Sequence, residues 1–361
     1  MDQLLIADAD DLEHVNFACV FDHNMQSRDM RPRFIKEKRA LRLSIEGPTP
    51  LKFSDIKNIY FGNSDKGDIN FCDPLSYQYK IQGGRVPDLT GNSATFVLEH
   101  MADPKSLPNL QATIRFIDTD IINVKWTWQL DAQGNVPAGK RVPVEVPNDL
   151  LDTSVRGTPA QKLSDFIQVT ATPFNVKFMP RNKADKTPYL NIKGMMFDSY
   201  INWINVGLKV PGGDQFKGIW GLGERANNDF FYEDGVYTIW GRDQGTPDED
   251  GKAPSKGMYG THPFYMFRHG PQSYVGVLTK LAHAQDWFIQ NDKVKGNIDL
   301  RTIATGGVAD LYIMTDRQDP QGIIERYYSI VGDPVLIPQW ALGWNQCKWG
   351  YKKVDDMRDV V

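Results

Sequence analysis

From Ile121 to Trp128 the chain reads Ile-Ile-Asn-Val-Lys-Trp-Thr-Trp, so that Ile122, Val124, Trp126 and Trp128 fall on one side of an extended backbone. Period two is the spacing of a strand with one face in a core and the other toward water, and a helix would scatter these four side chains around its circumference. The same alternation recurs in Leu41, Leu43, Ile45 and in Phe174, Val176, Phe178. Val275 to Leu278 and Leu311 to Met314 are short continuous apolar runs, which predict strands covered on both faces. With 31 Gly and 22 Pro available for turns, the pattern predicts a mainly β protein built as a large antiparallel β-sandwich.

The 361 residues suffice for such a core, and 41 basic against 45 acidic residues, interspersed, leave no basic patch for nucleic acid. Cys19, Cys72 and Cys347 are odd in number and far apart, which fits neither a disulfide framework nor a zinc cluster. The first residues carry no positive charge ahead of an apolar run, no stretch is long enough to span a membrane, and no Asn-x-Ser/Thr acceptor occurs. As it stands the sequence is expected in the cytosol; a trimmed N-terminus would restore an endoplasmic-reticulum or lysosomal lumen.

Between Asp131 and Lys162 the chain becomes polar and proline-rich, as in Gly134-Asn135-Val136-Pro137 and Val142-Pro143-Val144-Glu145-Val146-Pro147, and predicts a long surface excursion. A helix is predicted from Asp319-Pro320, with Asp as N-cap and Pro in the first turn. It carries an apolar stripe of Ile323, Ile324, Tyr327, Tyr328 and Val331, and Gly332 with Pro334 stops it. Beyond it, Trp340 to Cys347 predicts a buried strand and Val354 to Val361 a helix start, the opening unit of an α/β domain. A (β/α)8 barrel takes about 250 residues, so only its first βα unit is expected here.

Gly221-Leu222-Gly223-Glu224-Arg225-Ala226 fits the dinucleotide fingerprint G-x-G-x-x-A, with Asp243 twenty residues beyond Gly223. The fingerprint requires a helix directly after the glycines, and Asn227-Asn228-Asp229-Phe230-Phe231 offers turn formers and aromatics instead. The glycines are therefore expected to let the backbone turn sharply beside the next strand. His262 and His269 lack carboxylate or cysteine partners in metal spacing, so no metal is expected and His262 is read as structural. Neither a G-x-S-x-G elbow nor a P-loop occurs. Seven of the nine tryptophans follow residue 200. Trp203, Trp220, Trp287, Trp340 and Trp344 are read as core anchors, whereas Trp240 and Trp349 flank motifs that suit a carbohydrate cleft, where an aromatic face meets sugar C–H groups.

Four motifs follow one another in fixed order: Gly221-Leu222-Gly223-Glu224-Arg225, Trp240-Gly241-Arg242-Asp243, Tyr259-Gly260-Thr261-His262-Pro263-Phe264-Tyr265, and Trp340 through Tyr351. That order resembles glycoside hydrolase family 31, the retaining α-glucosidases, over residues 216–361; the first two hundred residues match only in style. The resemblance implies an N-terminal β-sandwich that sends one loop over the active site, with Asp243 binding sugar hydroxyls. It also implies Trp349, near the end of the first barrel strand, as an aromatic against the substrate ring, with Arg242 and Tyr259 as loop supports. Both catalytic aspartates of the family lie on later barrel strands. No W-x-D-M-N-E-like motif occurs in this chain, and Asp356-Met357-Arg358 does not supply one. No catalytic residue is therefore assigned.

Under that resemblance residues 1–318 form the sandwich with an active-site loop near 240–260, residues 319–334 a linker helix, and residues 335–361 the start of the barrel. The chain is expected to be the front part of an α-glucosidase acting on terminal α-linked glucose, without a cofactor and inactive in isolation. The rest of the barrel or another chain is expected to cover residues 335–361. Two alternatives stand beside it: a non-catalytic sandwich derived from the enzyme and used for sugar binding or assembly, and an unrelated adhesion or scaffold module.

Overall fold

The computed structural model describes residues 79–101, 108–138, 140, 142–147, 151–156, 161–181, 185–197, 202–225, 231–239, 259–270, 273–304, 306–317, 319–345 and 350–360. The alternation at Leu41, Leu43 and Ile45 and all three cysteines lie outside them. The strands in chain order are β1 (Tyr79–Ile81), β2 (Ser93–His100), β3 (Leu110–Asp118), β4 (Ile121–Trp128), β5 (Ile167–Ala171), β6 (Phe174–Phe178), β7 (Leu190–Phe197) and β8 (Asn202–Lys209). They continue with β9 (Ile219–Gly221), β10 (Gly235–Ile239), β11 (Phe264–Gly270), β12 (Ser273–Thr279), β13 (Gln285–Asp292), β14 (Asn297–Ala304) and β15 (Ala309–Arg317), followed by helices α1 (Pro320–Val331) and α2 (Val354–Arg358).

The strands pair antiparallel into an eight-stranded sheet, β1-β2-β3-β4-β15-β12-β11-β9, and a seven-stranded sheet, β10-β13-β14-β8-β7-β6-β5. The expected alternation does its work in the interior. Ile122, Val124, Trp126 and Trp128 of β4 and Phe174, Val176 and Phe178 of β6 are all buried in one cluster with Val206, Leu208, Trp287, Ile289 and Leu300 of the other strands. The two runs read as continuously apolar, Val275–Leu278 and Leu311–Met314, are β12 and β15, side by side within the larger sheet. Their second face is apolar because it too is covered. Phe264, Met266, Leu278, Tyr312 and Met314 pack beneath α1 through Ile323 and Ile330.

Helix α1 begins and ends where the sequence signals put it. The Asp319 carboxylate accepts the Gly322 amide at 2.6 Å, Pro320 occupies the first turn, and Gly332, at φ 88°, donates its N–H to Tyr328 O. Ile330, outside the predicted stripe, is fully buried because the polar excursion folds back over this end of the helix. The Asp152 amide donates to Ile330 O at 2.8 Å, the Arg156 guanidinium donates to Ser329 O, and Leu151 joins the apolar layer. On the opposite flank Arg326 reaches Asp120 at 2.7 Å and Asp118 at 3.7 Å, and Arg181 pairs with the same Asp120, whose side chain is almost wholly buried. The two guanidiniums meet this buried carboxylate and tie the helix to the β3–β4 turn.

The expected strand over Trp340 to Cys347 is corrected over its described residues, 340–345. Gln339–Leu342 form a 3-10 turn, with Ala341 N–H donating to Pro338 O and Gly343 N–H to Trp340 O, and no regular element covers 343–345. A strand exists through its neighbours' hydrogen bonds, and the described residues of this segment pair with neither sheet. Trp340 and Trp344, expected as core anchors, are 78% and 90% exposed. Trp287 is a core residue as expected. Trp220, on the edge strand β9, is only half-buried, with its ring edge-on to Phe231 and Tyr274. Trp203 lies in β8 opposite Met196 and Ile303. The helix expected near Val354 is present as α2, with Val354 and Met357 exposed.

Candidate functional site

Two of the four motifs meet at the free end of the larger sheet. The chain leaves β9 through three consecutive left-handed residues, Gly221 (φ 118°), Leu222 (φ 58°) and Gly223 (φ 82°). This is the sharp turn expected in place of a nucleotide-binding helix, and packing explains its glycines. A Cβ on Gly221 would lie 2.5 Å from Phe264 O, and one on Gly223 2.4 Å from Gly260 O and 2.9 Å from His262 N. Leu222, the one side chain forced into this backbone region, is buried and fixes the turn to the core.

Backbone bonds then carry the turn along the segment that precedes β11. Leu222 N–H donates to Phe264 O at 2.8 Å, and Glu224 N–H donates to Gly260 O at 2.7 Å. The Glu224 carboxylate returns the contact, with Oε2 accepting the Gly260 amide at 3.0 Å. Below them, the Tyr232 hydroxyl donates to Gly221 O at 2.5 Å and its ring meets Tyr237 edge-on at 4.6 Å. The Tyr237 hydroxyl donates to Glu233 O, and the Arg225 guanidinium lies 5.8 Å from the Tyr237 ring centre. Burial, then the nearby Tyr232 and Glu233, push the Tyr237 phenol well above its usual range. It stays neutral and acts as a hydrogen-bond donor.

These residues frame the point where β10 ends, at Ile239, and where the described chain resumes, at Tyr259. Asp243 lies between them and outside the described residues, as do Trp240 and Arg242; Trp349 also lies outside them. Tyr259 is 57% exposed at the resuming end. His262 is exposed beside the Gly223 turn. His269 is near the other end of β11, its Nδ1 3.1 Å from Lys209 O and its Nε2 3.6 Å from Asp185. Among the described residues no group of three or more His, Cys, Asp or Glu is placed to hold a metal ion, and no helix is long and apolar enough to cross a membrane. The reciprocal Glu224–Gly260 contact was not anticipated from the sequence. Its only signal there is that Glu224 and Gly260 belong to the first and third of the four ordered motifs.

No protein-family model matches the chain. Similar proteins are α-glucosidases: the lysosomal acid alpha-glucosidase of Tetrahymena pyriformis is 35% identical over 142 residues, 39% of this chain and 15% of that protein. The alpha-glucosidase of Hordeum vulgare is 27% identical over 282 residues, 75% of this chain and 29% of that protein. The lysosomal alpha-glucosidase of Mus musculus is 28% identical over 285 residues, 78% of this chain and 26% of that protein. The chain thus spans under a third of the length of these relatives. Among solved structures, the glucosidase II alpha subunit superposes with a TM-score of 0.59 at 14% identity, covering 79% of this chain and 37% of that one. The ER glucosidase II heterodimeric complex, of catalytic subunit and the binding domain of the regulatory subunit, gives 0.54 at 15% identity, over 79% and 38%. At such identity the structures show a shared fold, and the sequence relatives supply the kinship.

Proposed function

We propose that this chain, a relative of the family 31 α-glucosidases, serves as the substrate-positioning front part of a retaining α-glucosidase that releases terminal α-linked glucose from oligosaccharides. The observation that carries the reading is the sequence similarity to α-glucosidases over 75–78% of the chain. The close fit of the Gly221–Arg225 motif against Gly260 and Phe264 supports it, because both family motifs take part in one built structure.

In this reading Asp243 accepts hydrogen bonds from hydroxyls of the bound sugar, and Trp349 offers a flat apolar face to the ring. Retention requires two carboxyl groups about 5 Å apart, one attacking the anomeric carbon and one protonating the leaving oxygen. Those two belong to the barrel and not to the motifs of this chain. What Asp243 and Trp349 contribute is orientation, which lowers the barrier by fixing the ring before bonds change. Residues 1–318 act as the sandwich, 319–334 as the connecting helix and 335–361 as the entry to the barrel. The exposed Leu336, Trp340, Leu342 and Trp344 support a covering surface from barrel residues or another chain.

The test is made in a full-length enzyme containing this chain, with an aryl α-glucoside as substrate. Losing one charged hydrogen bond to a hydroxyl costs about 1.5–3 kcal/mol. Asp243→Ala is therefore expected to lower kcat/KM by roughly ten- to a hundredfold with an unchanged melting temperature, and Trp349→Ala to lower it without unfolding. The isolated 361-residue chain is expected to release no glucose. Full activity in Asp243→Ala, or a loss matched by unfolding, refutes the assignment.

A further inference from the structure

We propose that Glu224 is a positioning residue: its carboxylate fixes Gly260, the point from which the chain re-enters the sheet after the segment that carries Asp243. The inference rests on the glucosidase reading for its catalytic consequence and on geometry alone for the contact itself.

Residues 224 and 260 are joined by two hydrogen bonds of opposite sense. Glu224 N–H donates to Gly260 O at 2.7 Å, and Gly260 N–H donates to Glu224 Oε2 at 3.0 Å. The first needs only backbone and would survive any substitution at 224 except proline, which has no N–H to donate. The second needs an acceptor on a side chain of this length, and it saturates the Gly260 amide. Approach is close enough to exclude a larger residue at Gly223 and leaves Gly260 in contact with the Glu224 side chain. A Cβ on Gly223 would meet Gly260 O at 2.4 Å, while one on Gly260 would stand 3.3 Å from Glu224 Cβ and 3.5 Å from Oε2. One residue before Glu224's neighbour Gly223, the buried Leu222 roots the turn in the core and bonds Phe264 O. Glu224, itself exposed, therefore ties the end of this turn to Gly260 across 36 positions of sequence. A side chain with this contact acts on a substrate only through the segment it holds, which is the sense in which it positions.

The experiment compares wild type, Glu224→Ala and Glu224→Gln in a full-length enzyme containing this chain. Amide hydrogen exchange is followed on peptides covering Tyr259–Tyr265, and kcat/KM is measured on an aryl α-glucoside. Removing the acceptor is expected to speed exchange at Gly260 by about tenfold and to leave β12 and β15 unchanged. The same variant is expected to lower kcat/KM by about tenfold with the melting temperature kept. Glu224→Gln, which retains an acceptor oxygen at the same reach, is expected to restore both. Unchanged exchange in Glu224→Ala overturns the contact, and so does a Gln variant that behaves as Ala. Faster exchange with undiminished kcat/KM overturns the positioning role while the contact stands. A wild type without α-glucosidase activity refutes the glucosidase reading instead, and the exchange measurement still decides the contact.

Discussion

The joint between α1 and the larger sheet can be tested by adding one methyl group. Gly276 lies in β12 directly beneath the helix, and a Cβ placed there would stand 2.4 Å from Ile323 Cγ2, 3.1 Å from Phe264 Cε2 and 3.3 Å from Met314 Sδ. Carbon atoms pack at about 3.5–4.0 Å, so the helix must retreat by roughly 1 Å or Ile323 must leave its rotamer. Overpacking of this kind costs about 1–3 kcal/mol. The smaller backbone entropy lost by alanine offsets about 0.4–1 kcal/mol, leaving Gly276→Ala clearly destabilising. Ile323→Ala, at a fully buried site, should by itself cost about 2–5 kcal/mol. It also deletes the clashing Cγ2. In the double variant the added methyl occupies part of the space that the isoleucine left, and the double should be more stable than the sum of the singles by about 0.5–3 kcal/mol. Denaturant unfolding of the four proteins, compared at equal slope, gives the coupling directly. Strict additivity, or a Gly276→Ala protein indistinguishable from wild type, would show that helix and sheet are not in the tight contact described.

Asp319→Ala should lower stability by about 0.5–2 kcal/mol through loss of the cap on Gly322, and Asp319→Ser should recover most of it in thermal melts. Asp120→Ala should cost about 1–3 kcal/mol, less than a fully enclosed pair would, because Arg181 and Arg326 are partly exposed; a variant as stable as wild type would mean that the network is dispensable. Burial holds the Asp310 carboxyl above its usual value of 3.8, against the hydrogen bond from Asn123 and the charges of Lys125 and Lys280. The folded state therefore keeps this proton to higher pH than the unfolded state, and its contribution falls as pH rises from about 3.8 through the raised value. Asp310→Asn should flatten that part of the stability profile, and an unchanged slope in melts across the range would contradict the assignment.

What could be read in the sequence was what depends on neighbours a few residues away. Alternation placed β4 and β6, continuous apolar runs placed β12 and β15, and Asp319, Pro320 and Gly332 bounded α1 almost to the residue, because capping and pleat are local physics. The errors share a different cause. Trp340 and Trp344 looked like core residues because an apolar strand is assumed to find a sheet, and this segment pairs with none. Ile330 was missed because the residues that cover it, Leu151 and Asp152, come from a polar stretch nearly 180 positions earlier. At the candidate site the Gly221–Gly223 turn was legible from its glycines, whereas the reciprocal bond of Glu224 with Gly260 depends on two motifs meeting in space. Asp243 and Trp349 rest on the resemblance alone, since both lie outside the described residues.

The strand order has a consequence for how such a molecule comes into being. In the larger sheet β1 to β4 form one block and β9, β11, β12 and β15 another, joined only along β4 and β15; in the smaller sheet β5 to β8 meet β10, β13 and β14 only along β8 and β14. The first block of each sheet, β1 to β4 and β5 to β8, is a run of consecutive antiparallel pairings that can zip early, whereas the second blocks themselves include β15 and β14. The two seams, with Val124 opposite Leu311 and Val206 opposite Leu300, wait for the last strands. While a ribosome is still making residues 297–317, the first half therefore stands with two naked inner edges rich in valine and isoleucine. Such edges invite pairing with a neighbour's. The vulnerable interval in this protein's life is set by where β14 and β15 fall in the gene, and slowing translation just before them would lengthen it without altering one contact of the finished fold.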